Sequence, residues 1–169
     1  MIVMTFTPRH LSSIPQTTDY LYNLFSSSYK TDTNNQPVMV WFGTELGVWS
    51  TPITIEINGI EPVLREWATL GPDYQIEEDY SIRCKITSWS GESFSDPTSA
   101  AQNFLNVKND VFTAWFALEA AVANDPSLGQ NVRVAWFDEM NYAPTTDGSG
   151  HACGTITWAV RCQVRVSTL

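Results

Sequence analysis

The sequence is poor in the residues that most site chemistry requires. Its 169 residues include two histidines, His10 and His151, and three cysteines, Cys84, Cys153 and Cys162. Three cysteines leave one unpaired under any disulfide scheme, and none shares CxxC spacing with another. Neither a disulfide framework nor a thiol-rich zinc site is supported. Cys84 and Cys162 fall on the apolar side of alternating segments, as buried free thiols of a protein folded in a reducing cytosol would. Basic residues are also scarce: 9 Lys and Arg stand against 18 Asp and Glu, a formal net charge of −9. Such a surface repels phosphates, which argues against high-affinity nucleic-acid binding. No stretch approaches the length of a membrane span, and Met1-Ile2-Val3-Met4 is too short for a signal h-region. P-loop, GxSxG, HExxH, EF-hand and dinucleotide fingerprints are all missing.

What the chain does have is apolar bulk. Hydrophobic residues make up 43% and there are seven Trp, enough for a folded domain with a sizeable core. The length reads as a single domain over 1–169. Residues 1–16, with Pro8 and Pro15, form an N-terminal arm, and 17–169 form the body.

The body is organised around one helix predicted from Pro97 to Asn124. Asp96 is its N-cap and Pro97 suits the first helical position, while Pro126 and Gly129 stop it. Phe104, Val111, Trp115, Leu118 and Val122 recur at helical spacing, with Leu105, Phe112 and Phe116 widening the stripe. Gln102, Asn103, Asn106, Asp110 and Thr113 lie opposite. A face this broad needs a sheet or another helix to cover it. Glu119 sits at the edge of the arc, either snorkelling to solvent or pairing across subunits.

A shorter helix, capped by Thr17 or Thr18, runs to about Ser27, with Tyr20, Leu21, Leu24 and Phe25 on its apolar side. Strands follow at Val38–Phe42 and at Ile53, Ile55 and Ile57, which alternate with Thr54, Glu56 and Asn58. Ile60–Asp79 reads as a long connection broken by Pro62, Gly71 and Pro72, and long loops are often functional. Tyr80, Ile82, Cys84 and Ile86 mark the next strand, and Val132 and Val134 another. Asp138–Gly150 reads as a loop, and Ile156 to Val166 as the last strand. The expected class is α+β: an antiparallel or mixed sheet of about 4–5 strands with one long and one short helix packed on one face.

Charge placement is the most specific signal. Arg83, Lys85, Arg133, Arg161 and Arg165 are five of the nine basic residues, and all alternate with apolar side chains on predicted strands. In one sheet they would form a positive patch facing away from the helices. The patch is either an ordinary solvated face, paired with carboxylates of the same chain, or a surface met by acidic loops of a neighbouring subunit. Glu77, Glu78 and Asp79 would supply such a loop; their spacing matches no calcium site. On the second alternative, neutralising Arg161 and Arg165 together weakens self-association. His151 and Cys153 share a strand face, but no third orienting group or oxyanion hole accompanies them, so catalysis is not expected. Trp41, Trp49 or Trp67 would suit sugar stacking, although core packing explains most Trp residues.

The ordered set of features resembles the tail terminator proteins of long-tailed bacteriophages, in the version found in phages of actinobacteria. Val38-Met39-Val40-Trp41-Phe42-Gly43 and Ile53-Thr54-Ile55-Glu56-Ile57-Asn58-Gly59 look like the family's first two strands. Glu66-Trp67-Ala68-Thr69-Leu70-Gly71, with Glu78 and Tyr80-Ser81-Ile82, resembles its approach to the third strand. Trp89-Ser90-Gly91, the long helix, Asp125-Pro126-Ser127-Leu128-Gly129 and the terminal alternating strand complete the succession, from about Thr17 to the C-terminus. The arm and the Asp138–Gly150 loop are longer than in the family.

The resemblance implies a structural role with no catalytic group, cofactor or metal. Subunits of this kind form a ring, usually a hexamer, on the head-proximal end of the tail tube. The ring stops tube polymerisation and presents a surface to head-completion or connector proteins. It would be assembled in the host cytoplasm and reside in the virion at the tail–neck junction, with genomic DNA passing through an acidic lumen without specific binding and with no membrane partner. The two long loops, with Trp67, Asp73, Asn141, Tyr142 and Asp147, would make the axial contacts. On that reading, deleting Asn141–Ser149 impairs assembly and spares the fold. Rival readings are another ring-forming neck or tail-completion protein, a ligand- or carbohydrate-binding domain, and an enzyme using Cys153 and His151.

Overall fold

The computed structural model describes residues 12–32, 34–43, 52–61, 64–67, 75–93 and 96–167. The elements are α1 (Ile14–Ser28), β1 (Met39–Phe42), β2 (Ile53–Ile60), β3 (Leu64–Trp67), β4 (Gln75–Ser93), α2 (Pro97–Asn124), β5 (Val134–Thr146) and β6 (His151–Ser167). The strands form one mixed sheet in the order β1-β2-β4-β6-β5, with β3 pairing β4 beyond the end of β2. β1 runs parallel to β2, and the remaining pairs are antiparallel. Both helices pack on one face, α1 against β1 and β2, α2 against β4, β6 and β5. The expected α+β class is what folds.

Local chemistry explains the ends of α2. The Asp96 carboxylate accepts the N–H groups of Thr98 and Ser99 at 2.8 and 3.0 Å, and Ser99 Oγ accepts the Asp96 N–H at 3.2 Å. This reciprocal cap satisfies orphan donors and is worth about 1 kcal/mol. At the other end Leu128, Gly129 and Gln130 are all left-handed, with φ of 46°, 67° and 69°. The Asp125 carboxylate holds that turn, accepting Ser127 Oγ–H at 2.7 Å, Gly129 N–H at 2.8 Å and Tyr20 O–H at 2.6 Å.

The buried stripe of α2 differs from the expected one. Val107, Val111, Ala114, Leu118 and Val122 are buried, together with Asn103, which was expected on the solvent side. Leu105 and Phe116, expected to widen the stripe, are more than half exposed. The cause is a close crossing over β6. A Cβ on Gly154 would stand 3.3 Å from the Val107 carbonyl oxygen. Contact at a glycine draws the Val107–Ala114 side of the helix onto the sheet and rolls Leu105 and Phe116 outward.

The core lies between helices and sheet. Ile53, Ile55 and Ile57 of β2, Ile82, Cys84 and Ile86 of β4, and Ile156, Trp158, Val160 and Cys162 of β6 meet Leu21 and Phe25 of α1 and the buried stripe of α2. Phe25, Phe137 and Trp158 form an aromatic triangle, with ring centroids 6.4 Å (Phe25–Phe137), 6.2 Å (Phe25–Trp158) and 5.4 Å (Phe137–Trp158) apart. Each large side chain buried in this way contributes roughly 1.5–3 kcal/mol relative to exposure.

Three boundaries move. α1 begins at Ile14, with Pro15 in its first turn and Ser13 as N-cap. Thr17 and Thr18 do not cap it; their hydroxyls donate back to the carbonyls of Ser13 and Ile14 at 2.9 and 3.0 Å. Ile60–Asp79 is not a continuous connection, since it contains β3 and the start of β4. Asp138–Gly150 is mostly strand: β5 continues to Thr146 and only 147–150 turn. A bulge between Asp138 and Asn141, with Glu139 at φ 56°, breaks the alternation that would have revealed the strand. Pro144 is tolerated because β5 is an edge strand.

Candidate functional site on the charged face of the sheet

The register of β2, β4, β6 and β5 places the predicted cations on the face away from the helices, and it places carboxylates beside them. Glu56 is directly opposite Lys85, and Lys85 Nζ lies 2.8 Å from Glu56 Oε1. Arg83 donates through Nε to Glu61 at 2.8 Å and through Nη1 to Glu139 at 2.6 Å. Arg161 faces Asp79 at 3.4 Å and Asp138 at 3.6 Å, and lies over the Trp136 ring, 5.9 Å from its centroid. Arg165 pairs with Glu77. Hydrogen bonds to these carboxylates raise the pKa of Arg83 and Arg161.

Among the described residues the expected concentrated positive patch is therefore not formed. Four cations meet six carboxylates, Glu56, Glu61, Glu77, Asp79, Asp138 and Glu139. Of the two readings offered by the sequence, pairing within the chain is the one seen. The register and the residues beyond strand ends were needed to find it: Glu61 follows β2, and Glu139 sits in the β5 bulge.

Other predicted residues separate. Arg133 precedes β5, is exposed, and has no ion pair among the described residues; its N–H donates to Gln163. Glu78 is not on this face. It is buried on the helical side, where Ser12 Oγ donates to it at 3.3 Å, because it shares the parity of Ile76 and Tyr80. Glu77, Glu78, Asp79, Arg133 and Arg165 nevertheless all border one cleft of about 240 Å³ with Leu64 and Glu66. Tyr80 is tied to α1: its O–H donates to Thr17 at 2.9 Å and Ser13 Oγ lies 2.9 Å away. Burial pushes its pKa up to about 12.

The residues expected in axial loops are mostly in the sheet. Asn141 is exposed on β5 opposite Thr157, and Tyr142 turns to the helical side against Phe112 at 5.4 Å. Trp67 belongs to β3, and Asp73 lies outside the described residues, as does Trp49. Removal of Asn141–Ser149 would therefore destroy the β5–β6 hairpin along with any contact. Asp147 does sit in a turn. It accepts the N–H groups of Ser149 and His151, and its Oδ2 lies 2.7 Å from His151 Nδ1. Those bonds hold its carboxyl below the usual range, the His151 side chain contributing most.

Asp147 thus orients His151, a role that sequence reasoning did not assign to it. The thiol beside it has the wrong tendency for a nucleophile, since burial, and then the Asp147 charge, push Cys153 up. Cys84 and Cys162 are also buried free thiols, Cys162 pushed by burial up to about 12. Trp41 is half-buried, its indole N–H without a hydrogen-bond partner among the described residues, and Glu119 is half-buried. Among the described residues no group of His, Cys, Asp and Glu is arranged to hold a metal, and no helix is long and apolar enough to cross a membrane.

The other notable surface is apolar. Ala101, Phe104, Leu105 and Lys108 of α2 face Tyr142 and Pro144 of β5 across an open groove of about 480 Å³. Sequence reasoning placed Leu105 in the core, and nothing in helical periodicity alone marked it as exposed. Compared with known proteins, the sequence matches no family model and no curated protein.

Proposed function

We propose that this chain is a structural subunit that assembles with copies of itself, of the phage tail-terminator kind. In that role a ring, usually of six subunits, sits on the head-proximal end of the tail tube, stops its polymerisation and presents a surface to head-completion or connector proteins. The observation that carries the reading is the open, largely apolar groove between α2 and β5, with Leu105 more than half exposed in its wall and Phe116 more than half exposed further along the same helix. Such a patch gains stability by covering against another protein. The paired, net-negative face of the sheet suits a subunit past which DNA slides, because it offers phosphates no free cationic cluster.

Negative-stain microscopy and light scattering, with the chain alone and mixed with tail tubes, test the proposal. Rings and capped tube ends are expected. A monomer at every concentration, without affinity for tube ends, would overturn it.

A further inference from the structure

Two apolar patches lie on the helical side of the sheet, at its opposite edges. At the β5 edge is the groove between α2 and β5, with Leu105 51% exposed in its wall; Phe116, 57% exposed further along α2, touches Phe112, which packs on Tyr142 of the groove. At the β1 edge, Phe42 and Ile60 project, 51% and 45% exposed, beside Thr18 of α1. Phe42 is held by stacking on Tyr22, with ring centroids 5.0 Å apart. Register puts both patches in one layer: Phe42 is opposite Ile57 and Ile60 opposite Ile82, whose side chains enter the core, and Tyr142 is opposite Ile156. Among the described residues, no helix lies beyond α2 over β5.

Resting on the self-assembly reading, we propose that these patches are the two halves of one head-to-tail contact. The Phe42–Ile60 rim of one copy seats in the α2–β5 groove of the next, so that α1 of the neighbour extends the helical layer over β5. Charge selects this pairing. Lys108 lines the groove, and Asp19 follows Thr18 in α1, three residues before the Tyr22 that stacks on Phe42; both are exposed and without an ion-pair partner among the described residues. A two-fold contact of groove with groove brings Lys108 towards Lys108, whereas groove with rim brings it to Asp19. A contact between unlike patches uses each once per subunit and propagates around an axis, closing as a ring when no translation accompanies the rotation.

Light scattering on the full chain tests this. Phe42→Asp and Leu105→Asp should each be monomeric where the wild type assembles, and a 1:1 mixture of the two should give dimers and nothing larger, because each partner keeps one intact patch. Asp19→Lys and Lys108→Asp, exposed changes that spare the core, should each weaken assembly roughly 3- to 10-fold, and the double variant should restore it. Assembly of Phe42→Asp like wild type, or no dimer in the mixture of folded variants, overturns the head-to-tail contact and leaves the ring reading standing. A wild type that is monomeric at every concentration overturns the head-to-tail contact, and one that also lacks affinity for tube ends overturns the ring reading with it.

Discussion

Tyr20 donates a 2.6 Å hydrogen bond to the Asp125 carboxylate and thereby ties α1 to the turn that ends α2. The two residues are 105 positions apart. The bond lowers the Asp125 pKa first, with help from Ser127, and raises that of Tyr20. Tyr20→Phe should cost roughly 1–2 kcal/mol at neutral pH, measured by urea unfolding. Asp125 is depressed on folding, so its share is complete above the unfolded value near ~3.9 and disappears as pH falls through the folded value. Tyr20 is raised, so its share is complete below ~10 and disappears as pH rises through the folded value. The wild-type advantage should therefore be flat between those limits and shrink outside both.

Gly129 stands under the same tyrosine. Its φ is 67°, and a Cβ there would be 2.6 Å from Tyr20 Cε2. Gly129→Ala should destabilise by at least the ~1–2 kcal/mol of a left-handed residue with a side chain. Combined with Tyr20→Phe, its cost should be less than additive, because the displaced ring has already lost its bond. Thermal melts of the four proteins in the cycle check this.

Glu56 is 1% exposed and Lys85 is its cation. Lys85→Met leaves a buried carboxylate unpaired and should cost roughly 3 kcal/mol, towards the low end for buried pairs because Lys85 is partly exposed. Lys85→Met with Glu56→Gln should recover much of that loss. Chemical denaturation of both variants provides the comparison.

The Arg83 and Arg165 pairs are exposed, and pairs of that kind contribute only ~0–1 kcal/mol. Arg161→Gln with Arg165→Gln should leave self-association unchanged by light scattering, since both cations are already satisfied within the chain. A loss of assembly would bring the charged face back as an interface.

Thiol labelling at mild alkaline pH should find no fast cysteine. Cys84, Cys153 and Cys162 are buried and each is pushed up by burial. All three should react at the unfolding rate, and Cys153, nearest the hairpin turn, should be the first to respond to local opening.

Sequence alone determined the elements whose signals are local. The Asp96–Pro97 start and the Pro126–Gly129 stop of α2 depend on caps and breakers within a few residues, and the β2, β4 and β6 faces follow from strict alternation. Tertiary structure decided what depends on partners far along the chain. Which side of α2 is buried was set by its crossing at Gly154, so Leu105 and Phe116 became surface. Whether the cationic strand residues formed a patch was set by register, which put Glu56 against Lys85 and Asp79 near Arg161. β5 escaped sequence reading because its bulge and proline break the period-2 pattern, and its pairing with β6 supplies the order that the local sequence does not.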